Sequence, residues 1–208
     1  MTQHIIYTPP NIFADVNFGL DTQTVVINES AAKGVLFKEI YFAAREVFDK
    51  RPRGYGVLAQ SENKKDAPLL VIIGDYYHGI DIDIMLYYAG MGFSVFMFDY
   101  SGEGFGKTKY TFYTPETDYA NYLRAGRRLN YADTNARETC YFEWSTLAHY
   151  AVTAAIGLFD NKPAKTGVLG VGTGANIAWM LAYADKRITA CCNIFAAGWD
   201  VYKDKFKY

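Results

Sequence analysis

The sequence predicts an α/β fold, a mainly parallel, doubly wound sheet with an N-terminal antiparallel hairpin. Three observations carry this. Short apolar runs at Pro68–Ile73, Ser94–Phe98, Thr166–Val171 and Ile188–Phe195 alternate with stretches of helical character from Asp81 onward. Ahead of them, Phe37–Arg45 alternates partly and Arg53–Ala59 follows after the turn-like DKRPRG. At Lys165–Met180 an apolar strand runs through a glycine-dense turn directly into an apolar helix. Strands and helices in alternation bury a parallel sheet between helices on both faces.

In chain order, Thr24–Asn28 reads as a short strand. Phe37–Arg45 and Arg53–Ala59 form the predicted hairpin. Ser61–Asp66 is a polar loop, and PLLVII at Pro68–Ile73 has the character of a buried strand. Asp81 is placed to cap a helix through Ala89 that Gly90 and Gly92 end. Ser94–Phe98 is the next strand and closes on Asp99. The stretch from Tyr100 to about Asp133 is too long for a plain connection, so it should hold helical turns or a lid. Ala136–Leu158 reads as a long helix, because Tyr141, Trp144, Ala148, Val152, Ala155 and Phe159 recur every three or four residues. Strand Thr166–Val171, helix Ala175–Tyr183 and strand Ile188–Phe195 complete the order.

The 208 residues fit one domain, 1–208, with a hairpin region over 1–60 and an α/β core over 67–208. Half of the chain is hydrophobic and 21% is charged, which argues against disorder. A net charge of −1 with scattered basic residues gives no global attraction to nucleic acid or an anionic membrane, and neither is expected as a partner. The odd set Cys140, Cys191 and Cys192 argues against a disulfide framework and fits a reducing compartment. MTQHIIYTPPNIF lacks the pattern of a signal peptide, and Pro68–Phe98 is too interrupted for a membrane span. The expected location is the cytoplasm. Aromatic residues make up 17% of the chain, and many of the 18 tyrosines fall between Tyr100 and Tyr131. They suit either a lid with ring platforms for a sugar or aromatic acyl substrate, or a seal over the sheet edge and helix ends or a subunit contact. The second reading is favoured, since aromatic residues dominate cores and interfaces.

Three glycine patterns bear on chemistry. Ser101–Thr108 (SGEGFGKT) approaches a phosphate-binding P-loop. Ser101 stands where the first glycine belongs, and the following KYTFYTP has poor helix character. Gly170-Val171-Gly172-Thr173-Gly174-Ala175 satisfies a dinucleotide-binding pattern, yet the chain written beyond it is too short for the rest of such a domain. Asp200 is the nearest acid after the next strand. The same residues also have the frame of a nucleophile elbow, G-x-S-x-G, with Gly170 and Gly174 at its ends and Gly172 in the serine's place.

Taken with the elbow, the hairpin, the PLLVIIG strand, the loop Asp99-Tyr100-Ser101-Gly102-Glu103-Gly104, the long helix around Trp144 and Asp185-Lys186-Arg187-Ile188, the sequence resembles the α/β-hydrolase superfamily. The resemblance is to its acetyl xylan esterase and dienelactone hydrolase-like branch, from about Phe37 to Tyr202. It implies a carboxylic-ester hydrolase with a Ser, Asp/Glu, His order. By position it implies oxyanion donors at Thr173 N–H and at a backbone N–H near Asp75 or Tyr76. The chain departs from that pattern twice. Gly172 has no nucleophilic oxygen, and no histidine follows it, the three being His4, His78 and His149. The chain resembles the N-terminal two-thirds of the fold, truncated on the C-terminal side.

Catalytic impairment is therefore the leading expectation, with Gly172 held at positive φ. The alternatives are an esterase with an unorthodox nucleophile or a site completed by a second subunit, and a dinucleotide-binding module at Gly170-Val171-Gly172. Thr173 is a weak substitute nucleophile, because it needs a nearby base. Cys191 and Cys192 are expected in a buried strand as inert apolar residues. His78, Asp81 and Asp83 are read as a loop residue and two helix-starting acids, rather than a metal or base pair. No cofactor or metal is expected. A small ester or acyl ligand and a second copy or partner chain over the last strand are the expected partners.

Overall fold

The computed structural model describes residues 22–62, 66–129, 131–132 and 136–196. The N-terminal segment, His4, Asp133, Asp200 and the end of the resemblance at Tyr202 lie outside these residues. Seven strands form one sheet: β1 (Thr24–Ala32), β2 (Val35–Ala43), β3 (Arg53–Ser61), β4 (Leu69–Ile73), β5 (Ser94–Asp99), β6 (Thr166–Val171) and β7 (Ile188–Ile194). Their order is β1-β2-β3-β5-β4-β6-β7. The helices are α1 (Ile82–Gly90), α2 (Cys140–Gly157) and α3 (Thr173–Ala184).

The predicted hairpin is β2–β3, in register from Val35 opposite Ser61 to Ala43 opposite Arg53. The short strand expected at Thr24–Asn28 extends to Ala32 and adds a second hairpin onto β2. Lys33 and Gly34 make its two-residue turn with φ of 53° and 74°, as the right-handed strand twist requires. β3 also pairs antiparallel with β5, while β5–β4, β4–β6 and β6–β7 are parallel. The sheet is therefore mixed, with an antiparallel flank and a parallel core.

Period-two alternation divides the core. Leu69, Val71, Ile73, Phe96, Phe98 and Val168 face Trp144, Ala148 and Ala151 of α2 and Ile177 and Leu181 of α3. Ile72, Val95, Met97 and Leu169 face Met85 and Ala89 of α1. Asp81 caps α1 as expected, accepting from the Ile84 N–H at 3.0 Å. α2 begins at Cys140 rather than Ala136, because the Thr139 hydroxyl accepts from the Phe142 N–H and fixes the start there. Ala136–Glu138 is a separate 3₁₀ turn. α3 begins at Thr173, ahead of the predicted Ala175.

One expectation is reversed. Cys191 and Cys192 are exposed, because β7 stands at the margin of the sheet. Among the described residues no strand covers its outer side. Also among the described residues, no helix is long and apolar enough to cross a membrane.

The long connection after β5 holds 3₁₀ turns at Pro115–Ala120, Tyr122–Arg124 and Gly126–Leu129. Its anchor is a buried ion pair, Lys107 Nζ to Asp99 Oδ1 at 2.6 Å. Asp99 also accepts from the Gly102 N–H (3.1 Å) and the Thr111 N–H (2.8 Å). The lysine of the near P-loop thus turns inward onto a carboxylate, and no helix follows it to receive phosphate. Removing one partner of such a pair leaves a buried charge uncompensated. Lys107→Met is expected to lower unfolding free energy by about 3 kcal/mol in urea titration. A loss within 0.5 kcal/mol of zero would show that the pair does not anchor the loop.

Candidate functional site

The parallel core brings the C-terminal ends of β4, β5 and β6 to one edge, the usual place for a site in such sheets. β6 leaves the sheet at Val171 and turns through Gly172, which has φ 58° and ψ −124°. That backbone is strained for any residue with a Cβ. The Gly172 carbonyl accepts from the Ala175 N–H at 3.0 Å, and α3 starts on the next residue. Gly174 makes the close approach possible, since a Cβ there would lie 2.2 Å from the Ile73 carbonyl oxygen. The first turn of α3 therefore rests directly on the end of β4.

This contact decides where Asp75 goes. Its Oδ1 accepts from the Thr173 N–H at 3.1 Å and from the Tyr76 N–H at 2.9 Å. A Cβ built on Gly172 would fall 2.7 Å from the Asp75 carboxyl carbon and 2.7 Å from Oδ2. The carboxylate thus occupies the space a side chain at the elbow would need. Charge-assisted bonds from backbone N–H groups at a helix start stabilise it.

Thr173 and Tyr76, two of the backbone positions singled out from sequence, are brought together here. Asp75 contributes its carboxylate. That role was missed, and its only sequence signal is an acid immediately after the PLLVIIG strand.

Aromatic rings hold this corner. Tyr76 stacks on Tyr122, with centroids 3.8 Å apart and planes 7° from parallel. Phe105 leans on both rings. The Tyr100 hydroxyl donates to the Gly74 carbonyl at 3.0 Å, and the Ser101 hydroxyl donates to the Tyr76 carbonyl at 2.7 Å. Trp144 packs edge-on against Tyr100 and donates Nε1–H to the Ala120 carbonyl at 2.7 Å. Burial, then the hydrogen bond with Tyr76, push the Tyr122 phenol up to about 12, and burial raises Tyr100 and Tyr141 as well. These phenols keep their protons at neutral pH and are poor bases.

His78 stands on the same loop, its backbone N–H donating to the Asp75 carbonyl at 3.0 Å, while its exposed ring rests on Tyr77. The remaining candidates lie elsewhere, and Asp83 is in the first turn of α1. His149 is buried at the opposite end of the sheet, its Nδ1 3.4 Å from Asp185 Oδ2, with Arg187 paired to the same carboxylate at 2.5 Å. Burial depresses its pKa. Asp185 and Arg187 belong to the Asp185-Lys186-Arg187-Ile188 stretch, and nothing in its local pattern signals the buried His149 beside it. Among the described residues no histidine ring bonds to Asp75, and no three potential metal ligands converge. Burial pushes the Cys140 thiol up to about 12, which makes it inert.

The chain matches no family model and no curated protein. Solved structures do match. The acetyl xylan esterase of a Paenibacillus species superposes with a TM-score of 0.60 at 14% identity, over 82% of this chain and 52% of that one. That of a Thermoanaerobacterium species gives 0.56 at 16%, over 83% and 52%. A dienelactone hydrolase-like promiscuous phosphotriesterase from metagenomic libraries gives 0.55 at 15%, over 78% and 60%.

The fold is that of the α/β-hydrolases.

At these identities the likeness concerns architecture, and the chain spans about half the length of the two acetyl xylan esterases.

The contact at the turn is testable by a double-mutant cycle. Gly172→Ala is expected to cost about 2 kcal/mol, from the positive φ and the collision with Asp75. In an Asp75→Ala background the same substitution should cost about 1 kcal/mol less. Equal costs in both backgrounds, measured by denaturant unfolding, would show that the carboxylate does not fill that space.

Proposed function

We propose that this chain is a non-catalytic α/β-hydrolase-fold protein whose acyl-transfer site is closed by its own Asp75. The observation that carries the reading is the convergence of the Thr173 and Tyr76 N–H groups on Asp75 Oδ1.

An esterase of this architecture needs an attacking oxygen on the elbow, a base to take its proton, and backbone donors left open for the developing oxyanion. Gly172 supplies no oxygen. Tyr100, Tyr122 and Tyr141 hold their protons, the exposed His78 ring rests on Tyr77, and the buried His149 lies at the opposite end of the sheet. The donors themselves are engaged by the Asp75 carboxylate. A substrate carbonyl, which is neutral in the ground state, competes poorly with a carboxylate for two N–H bonds. A small ester or acyl ligand would have to displace Asp75 to bind here.

One observation favours a second reading, an active hydrolase with Asp75 as the unorthodox nucleophile. Its carboxylate stands where the elbow side chain would be. Attack on an ester carbonyl would form a mixed anhydride and release an alkoxide that needs a proton. The new oxyanion would also need the two donors that Asp75 uses. The closed-site reading avoids both conflicts. A dinucleotide at Gly170-Val171-Gly172 meets a similar obstacle, since its pyrophosphate would face the Asp75 carboxylate at the start of α3.

The test is hydrolysis of an activated acetyl ester by the full chain. The expected rate equals buffer, and Asp75→Asn leaves it unchanged. Gly172→Ser is expected to gain no esterase activity and no labelling of the introduced serine by a fluorophosphonate probe. Turnover that Asp75→Asn abolishes would establish the second reading instead.

A further inference from the structure

Arg53 is held differently from Arg45, Arg51, Arg124 and Arg187. Each of those pairs with a carboxylate: Arg45 with Glu143, Arg51 with Glu46, Arg124 with Glu103 and Asp118, and Arg187 with Asp185. Arg53 is exposed at the start of β3, and among the described residues its guanidinium meets two rings and no acceptor. It lies 4.4 Å from the centroid of Tyr41 and 4.4 Å from that of Phe112. These rings have centroids 6.3 Å apart and planes inclined at 54°, so the guanidinium rests in the angle between them. The attraction of a cation to ring faces keeps it there.

We infer that Arg53 anchors a binding site for the carboxylate of a small organic acid. This assignment is independent of the closed acyl site, because β3 lies two strands from β4 on the antiparallel flank of the sheet. An arginine fork offers two parallel N–H bonds in one plane, which match the two oxygens of a carboxylate. Ordering a long side chain is a main cost of such a contact. Here the rings hold the side chain in place ahead of any ligand.

The rings are themselves fixed. Phe112 exchanges both backbone hydrogen bonds with Arg53, at 2.9 Å each. Thr111 before it is buried, its hydroxyl accepting from the Tyr55 N–H at 3.0 Å and its own N–H donating to the Asp99 carboxylate at 2.8 Å. Tyr41 rests against Tyr55, its partner across the β2–β3 ladder. Charge then selects the ligand. Lys109 is matched to Glu39, which also accepts from the Tyr55 hydroxyl at 2.9 Å. Arg53 is left with one unmatched positive charge, which suits a carboxylate better than a phosphate dianion. Beside it Phe112 is 38% exposed, and Tyr110 packs on that ring with centroids 4.6 Å apart. An acid with a flat apolar body can cover these rings while its oxygens meet the fork.

The test is a titration of the full chain at low ionic strength, followed by nuclear magnetic resonance. Benzoate is the probe, benzamide its uncharged counterpart, and inorganic phosphate the competing anion. Benzoate should shift the Arg53 Nε–H and the Phe112 and Tyr110 ring resonances to saturation. Benzamide should leave them in place, and phosphate should bind more weakly than benzoate. Arg53→Gln should weaken benzoate binding at least about ten-fold, the loss of a charge-assisted contact. The unsubstituted chain alone can overturn the inference, either by showing no saturable response to benzoate or by binding benzamide equally well. Benzoate binding that Arg53→Gln leaves unchanged overturns it too. Phosphate that binds more tightly than benzoate overturns the assignment to a carboxylate.

Discussion

The arrangement at the edge of the sheet depends on one carboxylate held by two backbone N–H groups. Asp75 Oδ1 bridges the end of β4 to the first turn of α3. The glycines on either side make that bridge possible. Gly174 lets α3 settle against the Ile73 carbonyl, and Gly172 leaves room for the carboxylate. The bridge satisfies one of the N–H groups that a helix start otherwise leaves unpaired, and it places a negative charge where the helix dipole favours one.

This constraint also accounts for the aromatic loop. Asp75 and Tyr76 follow closely on the end of β4. The Tyr100 and Ser101 hydroxyls bond the carbonyls on either side of Asp75, and Tyr122 stacks on Tyr76. The loop is pinned from beneath by Lys107 on Asp99 and from behind by Trp144 of α2. Tyr100 therefore bonds the protein's own backbone, and Tyr122 packs on Tyr76.

Much of the architecture was legible in the sequence because it rests on local pattern. PLLVII, SVFMF and TGVLGV are short apolar runs, and each is a strand of the parallel core. Asp81 announces α1 by the capping chemistry of its side chain. The positive φ of Gly172 followed from the elbow pattern. What escaped was what depends on contacts between distant residues. Nothing local tells Asp75 apart from any acid in a loop, because its partner Thr173 is 98 residues away. The His149–Asp185–Arg187 cluster joins α2 to the start of β7 in the same way. The exposure of Cys191 and Cys192 was misread for a related reason. An apolar strand looks buried from its sequence alone, while its true cover is set by what lies beside it.

The central claim is that one carboxylate occupies the donor pair. Its most direct test compares the amide proton resonances of Thr173 and Tyr76 by nuclear magnetic resonance in the unsubstituted chain and in Asp75→Ala. The account predicts that both amide protons lie downfield and move upfield together in Asp75→Ala. A Thr173 amide at the same position in both proteins would contradict it.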